Sequence, residues 1–510
     1  MSSCPHHAFV HYLISGLKEG FRLGYEGPVK EFISPNAKSA SEYSNIVDTY
    51  IETEVAEGRI AGPFESQPFP SFRTNPLGIV PKKDSGKFRS ILNLSYPRGS
   101  SVNDYIDKDD YSLSYVTIDT AIQHILELGR GCFLNKVDIK DAFRIVPVHP
   151  DDWHLLGIFW KDQYFFDLRL PMGSRSSPFI FNCLSTAIVW ILINNYELDN
   201  VAHILDDFLM VEPPGERGNA MSVILYVFHI LGIPVAPKKV VGPVNVIEFV
   251  GITLDTLLME ARLSPEKVSK LSEKLSYMLG RRKVTKKELL SLIGSLSFAC
   301  KVVPPGRSFL SRMITLSCTV RENHFMINLN KSVKSDMNLW LTFLKKWNRR
   351  NFFLSNNVTF AQDLDFSTDA AGEVGHGGYL RGSWFALRWL PHQMGWSMPT
   401  KELFPIMIAA NLWGSRWKQL RISVQCDNEP TVNMINKGYT SRGPAASMLR
   451  LIMQSAMEHD FVLKSSHIPG KDNIIGDALS RFQFELFRLA APAADEDMTV
   501  VPAWLDAFGE

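Results

Sequence analysis

The sequence predicts a chain of the α/β (α+β) class divided among several domains, and three observations lead to that expectation. First, 510 residues at roughly 150 per domain leave room for about three to four cores. Second, between about 70 and 255 short apolar runs rich in Val, Ile and Phe (LGIVPKK, FRSILNL, FLNKVDI, YFFDLRL, HILDDFLMV, VIEFVGITL) are mixed with helix-like stretches, the signature of a mixed α/β domain. Third, a second block of this kind runs from about 356 to 485, where DLDFSTDA, WFALRWL, ISVQCDN and FVLKSSHI alternate with helical segments.

In chain order, residues 1–60 read as a helical extension. Ile46, Val47, Tyr50, Ile51 and Val55 recur at helical spacing, and Gly58 with Gly62-Pro63 closes the segment. Residues 61–256 form the first α/β block. Around Leu263 the strands are expected to stop and two helices to begin, at Ser264-Pro265-Glu266, an N-cap with Pro behind it, and at Thr285-Lys286-Lys287-Glu288, a capping box. Between 266 and 288 eight basic residues face three acidic ones, a local balance of +5. Such a run is usually a solvated helix face, and tracking of a phosphate backbone is the sharper alternative. A helical connection bearing Trp and Arg ends the 257–355 segment, and 356–485 is the second α/β block. The tail, 486–510, carries Asp495, Glu496 and Asp497 and is expected to be loose.

Composition excludes several classes. Hydrophobic residues make up 45% and charged residues 21%, with 33 Gly and 29 Pro spread along the chain, so the polypeptide is neither collagenous nor low-complexity. The longest clean apolar run, Ala187 to Ile193, is too short to span a bilayer, and no secretory signal opens the chain. An intracellular protein, in cytoplasm or nucleus and without a membrane partner, is expected. Six widely spaced cysteines contain no CxxC or CxxH pair, which argues against zinc and disulfides and reads them as small buried hydrophobes. The net charge of +1 says nothing about partners.

Two sets of acids stand out. Asp-Asp occurs at 109/110, 151/152 and 206/207, but only Asp206-Asp207 lies between apolar runs, His203-Ile204-Leu205 and Phe208-Leu209-Met210-Val211. Burying two adjacent carboxylates at a hairpin tip is costly unless a cation neutralises them; a solvated turn is the competing reading of this pair alone. Val137-Asp138-Ile139-Lys140-Asp141-Ala142-Phe143 puts Asp138 at the end of a buried strand. Beside Asp206 and Asp207 it would complete three carboxylates around one point, as two divalent cations about 3.5–4 Å apart require. The second set is Asp369 at a strand end (FSTDAAG), Glu402 opening an apolar helix, Asp427 at another strand end (VQCDN), and Asp477 in HIPGKDNIIGDALSR. Singly, such acids are more often surface residues or helix caps. As an ordered set of four they fit a two-metal hydrolase that uses water as nucleophile.

VDIKDAF, LPMGSRSSP (170–178), ILDDF, PKK (237–239) and EFVGITL (248–254) follow one another in the order and spacing of the palm motifs of reverse transcriptases, and NPLGIVPKKDSGKFRSILNLS (75–95) resembles their fingers segment. The run GRIAGPF…PFP…PKK…GKFR…LSYPRGSSVND resembles above all the polymerase region of DIRS-type retrotransposons, and the motifs cover roughly residues 45–485. The resemblance implies a right-hand polymerase with fingers and palm at 61–256 and thumb and connection at 257–355, followed by a ribonuclease H-like domain at 356–485. It implies an RNA-directed DNA polymerase with associated ribonuclease H activity. Asp138, Asp206 and Asp207 would hold two Mg²⁺ ions, for which Mn²⁺ can substitute. Lys82 and Arg89 would clamp the incoming deoxynucleoside triphosphate, although a solvated basic turn fits them too. Asp141 would approach the triphosphate. Phe143 would lie beneath the sugar as a gate against a 2′-hydroxyl, or else be a plain core ring. Lys239 would donate a proton to leaving pyrophosphate, and Gly251 falls in the primer-grip turn. In the second domain Asp369, Glu402, Asp427 and Asp477 would hold a second pair of Mg²⁺ ions, with His467 assisting proton transfer or product release. The implied partners are an RNA template, a DNA primer and the RNA–DNA hybrid; no oligomeric state is implied.

The chain departs from the reverse-transcriptase pattern at Met172, where a glutamine or aromatic is usual, and at Ile204-Leu205, where Tyr-x usually precedes the paired aspartates; nucleotide contacts and fidelity are what these changes touch. Asp84-Ser85-Gly86 has the letters of an aspartic-protease triplet, but Lys82, Lys83 and Lys87 surround it and make it a turn. The sequence contains neither an integrase-type zinc pattern nor a GxxxxGK[ST] loop, and no recombinase arrangement is found. The rival functional reading is a catalytically retired retroelement protein kept for nucleic-acid binding or as a scaffold.

Overall fold

The computed structural model describes residues 7–81, 88–114, 117–215, 218–346, 348, 350–351, 358–438, 440 and 443–509. The chain falls into two units, Met1–Asn245 and Val246–Glu510. In the first, α1 (His7–Glu19), α2 (Lys38–Glu42) and α3 (Ser44–Ala56) precede β1 (Ile60–Phe64), β2 (Leu77–Pro81) and β3 (Phe88–Leu92). Next come α4 (Ile118–Leu128), β4 (Phe133–Asp138), β5 (Gly157–Trp160), β6 (Gln163–Asp167) and α5 (Ser177–Tyr196). The unit closes with β7 (Val201–Ile204), β8 (Asp207–Glu212), α6 (Asn219–Ile230) and β9 (Val241–Val244).

The central sheet has the order β7-β8-β4-β9 and is antiparallel throughout. Val137, Phe208 and Met210 join Ile180, Phe181 and Leu192 of α5 and Ile224 and Phe228 of α6 in one core. Leu134 and Leu209 are equally buried. Both faces of the sheet are thus covered, which explains why β4 and β8 read as nearly unbroken apolar runs. Smaller sheets, β1-β6-β5 and β2-β3, flank it in sequence. The spacing of Ile46, Val47, Tyr50, Ile51 and Val55 is that of α3, whose Val47 and Ile51 are buried.

α5 has twenty residues with mean hydropathy 1.5, long and apolar enough to cross a membrane by length and composition alone. The expectation against such a helix rested on the seven-residue run inside it. Asn182, Ser185 and Asn194 interrupt that apolarity without ending the helix, because each hydroxyl or amide can bond within or beside it. Its Ile180, Phe181, Ile188 and Leu192 lie in the core of the unit.

The second unit begins with β10 (Val246–Phe249), β11 (Ile252–Asp255), β12 (Glu260–Leu263), α7 (Pro265–Leu279), β13 (Lys283–Thr285), α8 (Lys286–Ala299), α9 (Ser311–Ser317), β14 (Met326–Asn328), α10 (Lys331–Lys346) and β15 (Arg350–Asn351). Ser264 stands at the N-cap of α7 without a side-chain bond, whereas Thr285 and Glu288 form the reciprocal capping box of α8. Strands do not stop at 263: β13 pairs with β14 and β15 with β12. Two or three residues are too few for a period of two to register in a sequence.

β16 (Val358–Phe360), α11 (Ala361–Leu364), β17 (Phe366–Ala371), β18 (Gly375–Leu380), β19 (Ser383–Arg388), α12 (Met398–Trp413), β20 (Arg421–Cys426), α13 (Glu429–Lys437), α14 (Gly443–Glu458), β21 (Val462–His467), α15 (Ile474–Ser480), α16 (Phe484–Ala490) and α17 (Ala503–Asp506) follow. β17-β18-β19 is antiparallel, β16-β20-β21 is parallel, and β17 runs alongside β20. The expected loose tail is instead tied down. Asp495 N donates to Gly382 O (2.9 Å) and Thr499 N to Trp384 O (2.7 Å), while Phe487 and Leu505 are buried. The three acids hid this: backbone bonds and neighbouring apolar side chains hold the segment, and the Asp495 carboxylate adds a bond from Ser383 Oγ at 3.1 Å. Cys132, Cys183 and Cys426 are buried, as expected of small hydrophobes, but Cys318 is exposed.

Candidate active sites

The first site grows from strand pairing. Asp138, the last residue of β4, lies in register with Asp207, the first of β8, which in turn pairs with Ile204 of β7. Leu205 and Asp206 form the hairpin tip between them, with Leu205 in the left-handed region (φ 53°). That conformation is costly for a branched side chain. It is held from α5, where the buried Ser185 Oγ donates to Leu205 O at 2.9 Å. Ile139 N donates to Asp206 O at 3.0 Å, so the tip is stitched to the residue after Asp138. All three predicted carboxylates of this site therefore meet at one end of two paired strands.

Two lysines compensate these carboxylates only in part. Burial, followed by the charges of Asp138 and Asp206, pushes the Asp207 carboxyl up to about 6 despite Lys136 Nζ 3.7 Å away. Burial likewise raises Asp206. Asp207 Oδ1 is buried without a hydrogen-bond partner among the described residues, an arrangement that suits a ligand supplied from outside the chain. Asp138 is 7% exposed and is neutralised by Lys239 Nζ at 2.6 Å. Lys239 arrives on the turn Pro237–Lys239, whose approach is fixed by Ala236 N donating to Asp138 O at 3.0 Å. Lys136 was not singled out from the sequence. It stands two residues before Asp138, hence on the same face of β4, and that alternation is the signal for it.

Of the other expected nucleotide contacts, Asp141 stands at the head of a 3₁₀ turn, Ala142–Ile145, with φ 53° and an exposed side chain. Phe143 is half-buried in that turn, edge-on to Phe181 at 5.3 Å between ring centres. Met172 is 55% exposed. Its loop is pinned by Asn103, which donates to Gly173 O (2.9 Å) and accepts from Arg175 N (2.8 Å). Arg89 is exposed on β3, opposite Val80. Lys82 lies outside the described residues. Gly251 has φ 75° in the β10–β11 turn, and Lys267 Nζ donates to its carbonyl at 2.6 Å.

The second site lies wholly in the second unit. Asp369 sits within β17, Glu402 in the first turns of α12, Asp427 directly after β20, and Asp477 in α15. Asp369 is 6% and Glu402 4% exposed. Burial first, then the charges of Asp427 and Asp477, push Asp369 up to about 6 against the bond from Ser480 Oγ (2.6 Å). Burial, then Asp369 and Asp427, push Glu402 up to about 9. Asp369 thus lies in the field of Asp427 and Asp477, and Glu402 in that of Asp369 and Asp427. Ligand atoms of Glu402, Cys426 and Asp427 lie within 4.8 Å of one another. His467 ends β21 in register with Cys426 and is exposed beside the group.

Three supporting residues escaped sequence reasoning. Asn473 donates to Thr368 O (2.9 Å) and toward Asp369 Oδ1 (3.4 Å), tying the head of α15 to β17. Ser480 holds Asp369 from the same helix, and Arg481 Nε holds Asp477 at 2.6 Å. The spacing 473, 477, 480, 481 places them on one side of a helix, a pattern visible only once the helix is assumed. Glycines in β18 allow α15 this close: a Cβ on Gly377 would meet Leu479 Cβ at 2.6 Å.

The fold is the polymerase-like α/β fold of a foamy viral protease–reverse transcriptase. The structure of that protein (dRH) in complex with double-stranded DNA matches with a TM-score of 0.53 at 16% identity, over 87% of this chain and 72% of the other. Its complex with an RNA/DNA hybrid matches with a TM-score of 0.52, over 87% and 56%. In sequence the chain is similar to the Transposon Tf2-3 polyprotein of Schizosaccharomyces pombe, 19% identical over 440 residues, 84% of this chain and 30% of that protein. It is also similar to Protein P of duck hepatitis B virus, 28% identical over 143 residues, 28% and 17% of the two chains. No protein-family model matches. The chain thus spans about 30% of the length of the transposon polyprotein that it resembles.

Proposed function

We propose that the chain is the reverse-transcriptase and ribonuclease H region of a retroelement polyprotein. It would copy RNA into DNA at the Asp138–Asp206–Asp207 site and cut the RNA strand of the hybrid at the Asp369–Glu402–Asp427–Asp477 site. The observation that carries this reading is the register of β4 against the β7–β8 hairpin, which gathers three carboxylates, one with an orphaned buried oxygen. The likeness to a transposon polyprotein and to a viral Protein P, and a fold shared with a reverse transcriptase, support it. The finer assignment to a DIRS-type element rests on the GRIAGPF to LSYPRGSSVND run, whose Asn103 bonds Ser95 Oγ and, in the LPMGSRSSP motif, Gly173 O.

The donor sets are all-oxygen carboxylates in the first site and carboxylates with one neighbouring thiol in the second, chemistry that suits Mg²⁺ or Mn²⁺ in each. When bound, such a pair supplies an activated oxygen nucleophile and neutralises charge at phosphorus. In the polymerase Lys239 holds Asp138 and keeps a proton at Nζ, the group nearest to the carboxylates that can give one up. Arg89 offers a guanidinium fork to phosphate. Phe143, its ring edge-packed on Phe181, would lie beneath the sugar and leave no room for a 2′-hydroxyl. In the nuclease Ser480 and Asn473 orient Asp369, and His467 at the open end of β21 is placed to exchange protons with solvent. Double-stranded DNA and RNA/DNA hybrid are the expected polymers, with deoxynucleoside triphosphates as substrates.

Extension of oligo(dT) on poly(rA) with Mg²⁺ tests the reading. Wild type should synthesise DNA, and Asp206→Asn should lower the rate by about 10²–10³-fold, the scale on which loss of one charge-organising group acts. Template binding without synthesis by either protein would favour the retired scaffold instead.

A further inference from the structure

Behind the turn that carries Asp141 and Phe143 lies a buried ionic network that the reading above does not use. Arg144, the residue after Phe143, is buried. Its Nε and Nη2 bond Glu54 Oε2 at 2.9 and 2.7 Å, and Nη2 also reaches Asp167 Oδ1 at 2.5 Å. Glu54 is gripped from its other side by Arg59, Nε to Oε2 at 2.8 Å and Nη2 to Oε1 at 2.6 Å. Arg59 in turn lies 3.7 Å from Asp141 Oδ2. The side chains of Glu54, Arg144 and Asp167 are each less than a tenth exposed. The two guanidiniums outweigh burial and hold Glu54 below its ordinary value, whereas burial outweighs Arg144 at Asp167 and raises it.

These groups come from three elements, α3, the end of β6 and the 3₁₀ turn itself. Within the turn Arg144 N donates to Asp141 O (2.7 Å) and Val146 N to Phe143 O (3.2 Å). A turn of four residues has little stiffness of its own. Here a buried ion cluster fixes one of its residues, Arg144, and the predicted nucleotide contacts Phe143 and Asp141 stand one and three residues before it. Buried ion pairs are also a costly way to fill a core, which a merely apolar packing could replace if only stability mattered.

We infer that the Glu54–Arg144–Asp167 network is a positioning device that sets the Phe143 ring beneath the incoming sugar and so determines discrimination between deoxy- and ribonucleotides. The inference rests on the polymerase reading and on Phe143 as the ring that meets the sugar. Glu54, Arg144 and Asp167 act through Phe143 and touch no substrate.

The test measures single-nucleotide incorporation of dTTP and of UTP on the same primer and template by the full chain, with kcat and KM separated. Glu54→Gln and, at the more accessible end of the network, Arg59→Lys keep shape while loosening the cluster. Each should lower the dTTP-over-UTP ratio of kcat/KM by about 10-fold or more, chiefly through KM for UTP, with kcat for dTTP changed less than about 3-fold. Phe143→Val should collapse the ratio, and adding Glu54→Gln to it should lower it no further, the non-additivity expected of groups acting through one ring. Circular dichroism identifies a variant that fails to fold, in which case Arg59→Lys decides. An unchanged ratio in folded variants, or additive losses with Phe143→Val, overturns the inference while leaving the polymerase in place. No incorporation of either nucleotide by wild type overturns the polymerase reading, and the inference with it.

Discussion

Lys239 illustrates how one side chain can serve two states of a site. Its ammonium compensates Asp138 at 2.6 Å, where a metal ion would also bind. Replacing it by Met should therefore ease cation entry and remove the proposed proton donor at once. Half-saturating Mg²⁺ should fall several-fold while kcat falls by about 10²-fold; a Mg²⁺ titration of primer extension reads both, and an unchanged Mg²⁺ requirement would detach Lys239 from the metal site. Glu402 carries a second residue-scale prediction. Its folded carboxyl sits near 9 against an ordinary 4.5, and Asp369 near 6 against 3.8. A carboxyl raised on folding holds its proton more tightly in the folded state. Its favourable contribution is complete below the ordinary value and is lost as pH rises through 4.5 toward 9 for Glu402, and through 3.8 toward 6 for Asp369. The metal-free protein should thus lose thermal stability as pH rises from 6 to 9, and Glu402→Gln should recover about 1 kcal/mol or more at pH 8. Mg²⁺ should raise Tm more at pH 8 than at pH 6, because bound cations replace the protons. Melting curves in EDTA and in Mg²⁺ check both signs; a flat pH profile would refute them.

At the scale of elements, the ribonuclease-like block depends on how closely α15 approaches β18. Gly377→Ala would drive a methyl into Leu479 and Phe385 O, and overpacking of this kind costs about 1–3 kcal/mol. The expected result is a lower Tm, with hybrid cleavage falling several-fold and DNA synthesis nearly unchanged. Gly395→Ala, whose Cβ meets nothing within 4 Å, is the control, and equal effects from the two would remove the close-approach argument. Elements whose residues face one environment were legible from sequence: β4 and β8, apolar on both faces, and α3 and α8, with a clean helical period or a capping box. Asp138, Asp206, Asp207 and Asp427 were legible because they stand at or just beyond the end of such a strand, whereas Asp369, Glu402 and Asp477 lie inside β17, α12 and α15 and were legible only as members of an ordered set. Elements that answer to a neighbour were not. β18 is glycine-rich and looks like a loop, yet its glycines exist for the helix laid across it. Strands β13 to β15 are too short to show a period, and the tail carries three charges although backbone bonds to Gly382 and Trp384 anchor it. Asn473, Ser480 and the Glu54–Arg144–Asp167 cluster escaped for the same reason, since their partners lie far away along the chain.

At the scale of the whole molecule, each of the two units brings its own acids together from its own elements. No acid of the first site shares an element with the second, and the charges that raise Asp207 are Asp138 and Asp206, whereas those that raise Asp369 are Asp427 and Asp477. Electrostatic coupling between fixed charges is screened over about 10 Å in ordinary salt, and the charges that act on Asp207 and on Asp369 each belong to that acid's own unit. If both proposed activities reside here, they should therefore separate cleanly in the intact chain. Asp138→Asn should lower primer extension by at least about 10²-fold and leave cleavage of a preformed RNA/DNA hybrid within about 2-fold of wild type. Asp427→Asn should do the reverse. Both rates can be read from one labelled hybrid, with RNA fragments and extended DNA resolved on the same gel. Loss of both activities on Asp138→Asn would mean that the second set of acids works only with the first, and the account of two independent metal sites would fall. Cleavage in every protein with synthesis in none would leave a nuclease with a silent polymerase, and would place the burden on the nucleotide contacts at Met172 and Leu205, where the chain departs most from the reverse-transcriptase pattern.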